Sequence, residues 1–359
     1  MATQELLVSD LSEGQLLERI FPRLHNRAID STAAPLLGPG DDAAIISAPD
    51  GRLVISVDTQ TQDQDFRLLW PNGYQTTGYD VGWKAAAQNL SDINAMGAVP
   101  TALVVSLTLP PHTPVVWVEA LAEGLSDALF TLGATRCSVV GGDLGAGTEL
   151  SITAAVTGDL AGATPVLRSG AKAGDVLAVA GRLGHAAAGL ALLESAPPLT
   201  TAADHAQEQR RSQAASEFQN LIRLQCRPEP PLAAGPMAAA SGATAMMDIS
   251  DSLLRDGGRL AKASGVAVHL DAAALNSRRA PLEAAGQLLG VDPMEWILRG
   301  GEDHGLLATF GPEVPLPEGF AAIGSIVAVA PGDTARVVLP GTANGSPGIS
   351  SAGWDHFAE

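Results

Sequence analysis

Residues 101–143, TALVVSLTLPPHTPVVWVEALAEGLSDALFTLGATRCSVVGGD, read as strand, helix and strand in succession. TALVVSLTL (101–109) is a short apolar run closed by two prolines, residues 114–132 carry a helical pattern, and RCSVVGGD is a second apolar run that delivers Asp143. The same alternation continues outward. Upstream lie DAAIISA, the strand RLVISVDT ending on Asp58, a long loop over 59–77 and a helix over 79–97; downstream lies the strand SITAAVTGDL. Alternating strands and helices predict an α/β chain. At 359 residues the chain exceeds the roughly 250–300 at which one core stops growing, so two domains are expected. The Gly- and Ala-rich stretch GDLAGATPVLRSGAKAGD marks the boundary, giving domains 1–158 and 159–359. The second domain is α/β as well. Its signals are the apolar segment HAAAGLALLES, a polar helix over 203–223, TAMMDISDSLLRDGGRLAKASG, and strands near 305–309, 321–329 and 334–339.

Composition narrows the function. With 46% apolar residues and only 4% aromatic ones, the cores rest on Ala, Val, Leu and Ile. A net charge of -18 repels nucleic acid and anionic membrane surfaces, so neither is an expected partner. Two cysteines, Cys137 and Cys226, make no disulfide framework. The acidic opening MATQELLVSDLSEGQ lacks the pattern of a secretion signal, and no run reaches the ~20 apolar residues that span a bilayer. A cytoplasmic placement is expected.

One device recurs along the chain: an apolar run adjoins one or more aspartates. GDDAAII carries Asp41 and Asp42, LVISVD ends in Asp58, CSVVGGD in Asp143, and TAMMDISD supplies Asp248 and Asp251. Asp92 lies inside the alanine-rich helix VGWKAAAQNLSDINAMG, where an unpaired charge is costly. Each has a bland alternative: a turn for Asp41 and Asp42, a helix cap for Asp251, a surface position for Asp92. Together, converging carboxylates repel one another unless divalent cations screen them, and hard oxygen donors suit Mg²⁺ or Mn²⁺ rather than zinc. No GxxxxGK[ST] occurs, nor the protein-kinase motif set. A nucleotide would therefore be held through metal ions and backbone amides, with Gly38, Gly40, Gly141 and Gly142 permitting close approach and Arg168 and Lys172 as cationic contacts.

GPGDDAAI, ISVDT, KAAAQNLSDINAMGA, VVGGD, LRSGAKAGD, DISDSL, GGEDHGLL and GWDHF, in this order from about residue 10 to 357, resemble thiamine-monophosphate kinase, of the group that includes aminoimidazole-ribonucleotide synthetase and selenophosphate synthetase. The resemblance implies an α/β chain of the α+β type, with a two-domain synthetase-like fold whose mixed amino-terminal sheets form a barrel in a homodimer. It also implies ATP-dependent phosphorylation of thiamine monophosphate with several Mg²⁺ ions. Carried over by motif, the metal ligands are Asp42, the Ser56–Val57–Asp58 segment, Asp92, Asp143, Asp248 and Asp251; the ATP contacts are Gly142, Asp143, Arg168 and Ser250. Asp143, Asp251 and Arg168 carry the transfer. Thiamine monophosphate falls to Glu302, to Trp354 as a stacking face for the cationic thiazolium, and to the position of Asp65. The first domain then binds Mg-ATP and dimerises, and the second completes the ATP and thiamine monophosphate site.

The sequence departs from that pattern in several places. QDQDF sets Asp65 where a histidine is usual, SDSL sets Ser252 where glycine is usual, and GHAAAGL sets His185 where aspartate is commoner. Ser252 fits unless its backbone requires a positive φ.

Overall fold

The computed structural model describes residues 6–24, 36–37, 46–195, 205–330 and 332–339. Contacts divide the chain after Ala163, with the short segments Pro71–Gly73 and Asn94–Gly97 grouped with the second part.

The first unit contains α1 (Glu13–Ile20), β1 (Val54–Thr61), α2 (Gly78–Ala95), β2 (Val99–Leu109), α3 (Val115–Thr131), β3 (Ser138–Ala146) and β4 (Ser151–Asp159). Ser12 caps α1 by accepting the Gln15 N–H while Gln15 returns a side-chain oxygen to the Ser12 N–H at 2.9 Å. Thr77 and Asp80 start α2 in the same reciprocal way, at 2.9 and 3.2 Å. The four-stranded sheet has the order β1-β4-β2-β3; β4 is antiparallel to both neighbours, and β2 and β3 are parallel. The sheet is therefore mixed, as the resemblance implies.

Two strands run further than their apolar patterns suggest. Asp58 and Asp143 each stand three residues inside a strand rather than at its end. The cause is ladder length: β1 keeps pairing with β4 to Thr61–Ser151, and β3 with β2 to Ala146–Leu109. Backbone hydrogen bonding to a long neighbour overrides the loss of apolar character.

Helices α2 and α3 approach backbone to backbone. A Cβ on Gly82 would lie 2.0 Å from the Leu121 carbonyl oxygen, and one on Gly124 would lie 2.2 Å from that of Tyr79. This contact covers one face of α2 and β1 meets another, so the helix is buried nearly all round, as its even spread of apolar residues requires. From Asp80 to Ala95 every residue is buried except Asp92, which is half-buried.

The second unit contains β5 (Val176–Ala180), α4 (His185–Glu194), α5 (His205–Cys226), α6 (Ala234–Ala240), β6 (Ala245–Ile249), α7 (Leu253–Ser264), β7 (Val266–Leu270), α8 (Ala272–Asn276), α9 (Glu283–Leu289), α10 (Pro293–Arg299), β8 (Gly305–Phe310), β9 (Phe320–Ala328) and β10 (Arg336–Val338). Its six-stranded sheet has the order β10-β7-β9-β5-β8-β6 and is antiparallel except for β10 against β7. The core is aliphatic: Leu177, Val179, Met247, Ile249, Leu254 and Leu260 pack beneath the helices. Among the described residues no helix is long and apolar enough to cross a membrane.

Candidate active site

In the first unit, strand parity puts Ser56, Asp58 and Gln60 on one face of β1. That face meets α2. Ser56 donates its hydroxyl to Asp92 Oδ2 at 2.5 Å, and the buried Gln60 amide donates to Gln88 at 2.9 Å. Two of the sequence-marked oxygen donors are thus in direct contact, and Asp58 lies exposed between the two strand-to-helix bonds. The surface reading of Asp92 fails: α2 is buried around it and its carboxylate engages a strand. Val57 points to the opposite, open face and is 62% exposed.

Gly142 and Asp143 sit on β3 beside Val105 and Ser106 of β2. A Cβ on Gly142 would meet the Val105 carbonyl oxygen at 2.1 Å, so only glycine fits; Gly141 has open space. β1 and β3 are the two edges of the sheet, three strand spacings apart, roughly 14 Å if the sheet were flat. Among the described residues no three His, Cys, Asp or Glu side chains gather closely enough to hold a metal by themselves. An apolar groove of about 670 Å³ opens beside Gly142 and Asp143, lined by Ile20, Phe21, Val104, Leu107 and Leu121.

In the second unit β6 carries Asp248 near its end, 4% exposed, with His304 Nδ1 3.6 Å from its Oδ2. Ser250 and Asp251 form the bend that follows. The cap of α7 is Ser252, not Asp251: Ser252 Oγ accepts the Arg255 N–H at 3.0 Å. Asp251 turns instead to Arg259, 2.5 Å away. The Ser252 backbone has φ +151° and ψ 159°, a region that favours glycine, so serine replaces the usual glycine where the backbone has a positive φ.

Asp256 holds this bend, and the motif reading missed it. Its Oδ2 accepts the N–H groups of Asp251 and Ser252 at 2.9 and 3.1 Å, and its Oδ1 takes Arg259 at 2.7 Å. Burial, reinforced by the charges of Asp248 and Asp251, pushes its carboxyl up to about 6. A sequence signal existed. Asp256 falls three residues after Leu253 and four before Leu260, on the apolar stripe of α7, where a solvated Asp does not belong.

GGED folds against the same bend. The Glu302 N–H donates to the Ser250 carbonyl at 2.8 Å, and a Cβ on Gly301 would lie 2.3 Å from that oxygen. Glu302 and His304 both have positive φ, +69° and +50°. Between them Asp303 accepts the N–H groups of His185 and Ala186 at 3.1 and 2.9 Å, closing the amino terminus of α4. Burial pushes the Asp303 carboxyl up and the His185 imidazole down. Arg168 stands on an exposed loop, and its guanidinium makes no ion pair or hydrogen bond with the described residues. Asp65 directs Oδ2 to the Thr61 N–H at 2.7 Å, closing the turn after β1, while the Arg67 guanidinium lies over the Trp70 ring at 5.4 Å. Asp42, with Asp41, Gly38 and Gly40, and Trp354 lie outside the described residues.

Comparison with known proteins agrees with the motifs. The family model of AIR synthase related protein, N-terminal domain, matches residues 40–160. Thiamine-monophosphate kinase of Mycobacterium tuberculosis (strain CDC 1551 / Oshkosh) is 42% identical over all 359 residues and 96% of its own length. Among solved structures, thiamine-monophosphate kinase from Stenotrophomonas maltophilia K279a superposes with a TM-score of 0.69 at 32% identity, covering 93% of this chain and 98% of that one. AaThiL complexed with AMPPCP and TMP gives a TM-score of 0.68 at 27% identity, covering 99% and 100%. On end-to-end identity, shared architecture and the motif residues placed above, this chain belongs to the thiamine-monophosphate kinase family.

Proposed function

We infer that the chain transfers the γ-phosphoryl group of ATP to the phosphate of thiamine monophosphate, yielding thiamine diphosphate and ADP. The observation that carries this reading is the 42% identity to a thiamine-monophosphate kinase along the whole chain. The acceptor is already an ionised phosphate oxygen, so no strong base has to remove a proton. Catalysis rests on positioning and on neutralising two polyanions.

The donor set fits magnesium. Ser56, the Val57 carbonyl and the carboxylates of Asp42, Asp58, Asp92, Asp143, Asp248 and Asp251 are all hard oxygens, and the Ser56–Asp92 contact supports a shared site for two of them. When bound, Mg²⁺ ions supply the charge that lets the two phosphate chains meet. The protein's own part is to hold still. Gly142 lets its strand close tightly against Val105, Ser250 lends its peptide to a fixed bend, and Arg168 presents to the nucleotide a guanidinium uncommitted among the described residues. Asp143, Asp251 and Arg168 are the residues assigned to the transfer itself. Glu302, fixed through the Ser250 carbonyl, Trp354, and the turn at Asp65 take thiamine monophosphate.

The domains divide as 1–158, binding Mg-ATP and dimerising, and 159–359, supplying the remaining ATP and thiamine monophosphate contacts. The barrel and homodimer rest on the open face of the first unit's sheet, where Ile55, Val57 and Val104 are 70%, 62% and 44% exposed. Cys137 and Cys226 are buried and not joined in a disulfide, which supports a reducing, cytoplasmic placement. ADP release with a panel of acceptors tests the reading. Thiamine monophosphate should sustain release while free thiamine does not; equal or faster use of free thiamine would contradict it.

A further inference from the structure

The Arg168 loop is gripped by one side chain. Ser264 Oγ accepts the N–H groups of Gly170 and Ala171 at 3.1 and 3.2 Å and donates to the Arg168 carbonyl at 3.0 Å. One hydroxyl thus uses its donor and both lone pairs on a single loop. The other side of the loop is blocked: Gly170 has φ +138°, and a Cβ there would lie 2.3 Å from the Thr244 carbonyl oxygen. The Met246 N–H ties the preceding residue, Leu167, through its carbonyl at 3.0 Å. The backbone at Arg168 is therefore fixed while its guanidinium stays uncommitted among the described residues. Ser264 is also the last residue of α7, whose first turn holds the Asp251 bend through Asp256. Twelve residues of helix, about 18 Å, join the two.

We propose that Ser264 is a positioning residue for nucleotide binding, acting through Arg168: its hydroxyl fixes the arginine loop to the carboxyl end of the helix that also sets the Asp251 bend. The proposal rests on the reading of Arg168 as a nucleotide contact. Without the hydroxyl, the loop must be ordered at each binding event, and the lost preorganisation appears as weaker nucleotide affinity. The residue touches no substrate itself.

Calorimetric titration of the full chain with Mg-AMPPCP tests this without requiring turnover. Ser264→Ala should weaken binding about three- to tenfold, and Arg168→Ala about ten- to a hundredfold. Ser264→Thr keeps the hydroxyl and should stay within about twofold of the wild type. The deciding comparison is the double variant: in the Arg168→Ala background, Ser264→Ala should add less than about twofold. Thermal unfolding checks that each variant is folded; if Ser264→Ala does not fold, Ser264→Thr carries the test, and a loss of affinity beyond about twofold in that folded variant would overturn the proposal. Equal weakening by Ser264→Ala in both backgrounds would overturn the proposal, as would an unchanged affinity in Ser264→Ala when Arg168→Ala binds weakly. If Arg168→Ala binds normally, the proposal falls together with the assignment of Arg168.

Discussion

Ser252 pays for its place in the bend. A residue with a side chain at φ +151°, ψ 159° costs of order 1–3 kcal/mol, and here it is wholly buried. Glycine relieves that strain and sacrifices a helix cap worth only a few tenths of a kcal/mol against it. Ser252→Gly should therefore raise stability by about 1 kcal/mol, seen as a higher urea midpoint with an unchanged slope. A lower midpoint would mean that the hydroxyl's bond to Arg255 outweighs the backbone. Asp92 makes the complementary case. Asp92→Asn keeps the size of the side chain and can still accept from Ser56, so the circular dichroism spectrum should be unchanged. Turnover across a magnesium series should fall about 10²-fold; near-normal turnover at limiting magnesium would remove Asp92 from the metal set. Both residues were legible in the sequence, one as a departure from a motif and the other as a charge in an alanine-rich helix. Asp256 was marked only by its place on the apolar stripe of α7, and Asp303 and Ser264 were not legible at all. Their roles lie in bonds to backbone groups of loops brought near by folding, and no spacing along the chain encodes those partners.

At the scale of elements, the α2–α3 contact and the two strand extensions share a cause: backbone meets backbone, and side-chain pattern is secondary. Gly82→Ala should gain about 1 kcal/mol of helix propensity. Its Cβ, however, would stand 2.0 Å from the Leu121 carbonyl oxygen, and the helices must separate. A net loss of at least about 2 kcal/mol is expected by urea unfolding. Gly258→Ala in α7 is the control, since a Cβ there meets nothing within 4 Å and should stabilise by roughly 0.5–1 kcal/mol. Similar effects at both sites would show that close approach does not govern α2. The helices and strands themselves follow the hydrophobic pattern closely. The pattern fails at Asp58 and Asp143, because a strand's length depends on the neighbour with which it pairs.

At the scale of the molecule, the sheet face around Ile55, Val57 and Val104 is apolar and exposed, and a second copy is the proposed cover. Sedimentation velocity should find a dimer for the wild type and a folded monomer for Ile55→Glu; one mass for both would exclude this face as the interface. The dimer was an expectation from family resemblance, since composition carries no sign of which face is covered. The central chemical event is phosphoryl transfer between two phosphates. The most direct measurement supplies ATP labelled at the γ-phosphorus with Mg²⁺ and thiamine monophosphate, and separates the products by chromatography. The label should appear in thiamine diphosphate, with one ADP formed for each, and should vanish when the metal is chelated. Label released only as inorganic phosphate, or carried onto free thiamine as readily as onto the monophosphate, would contradict it.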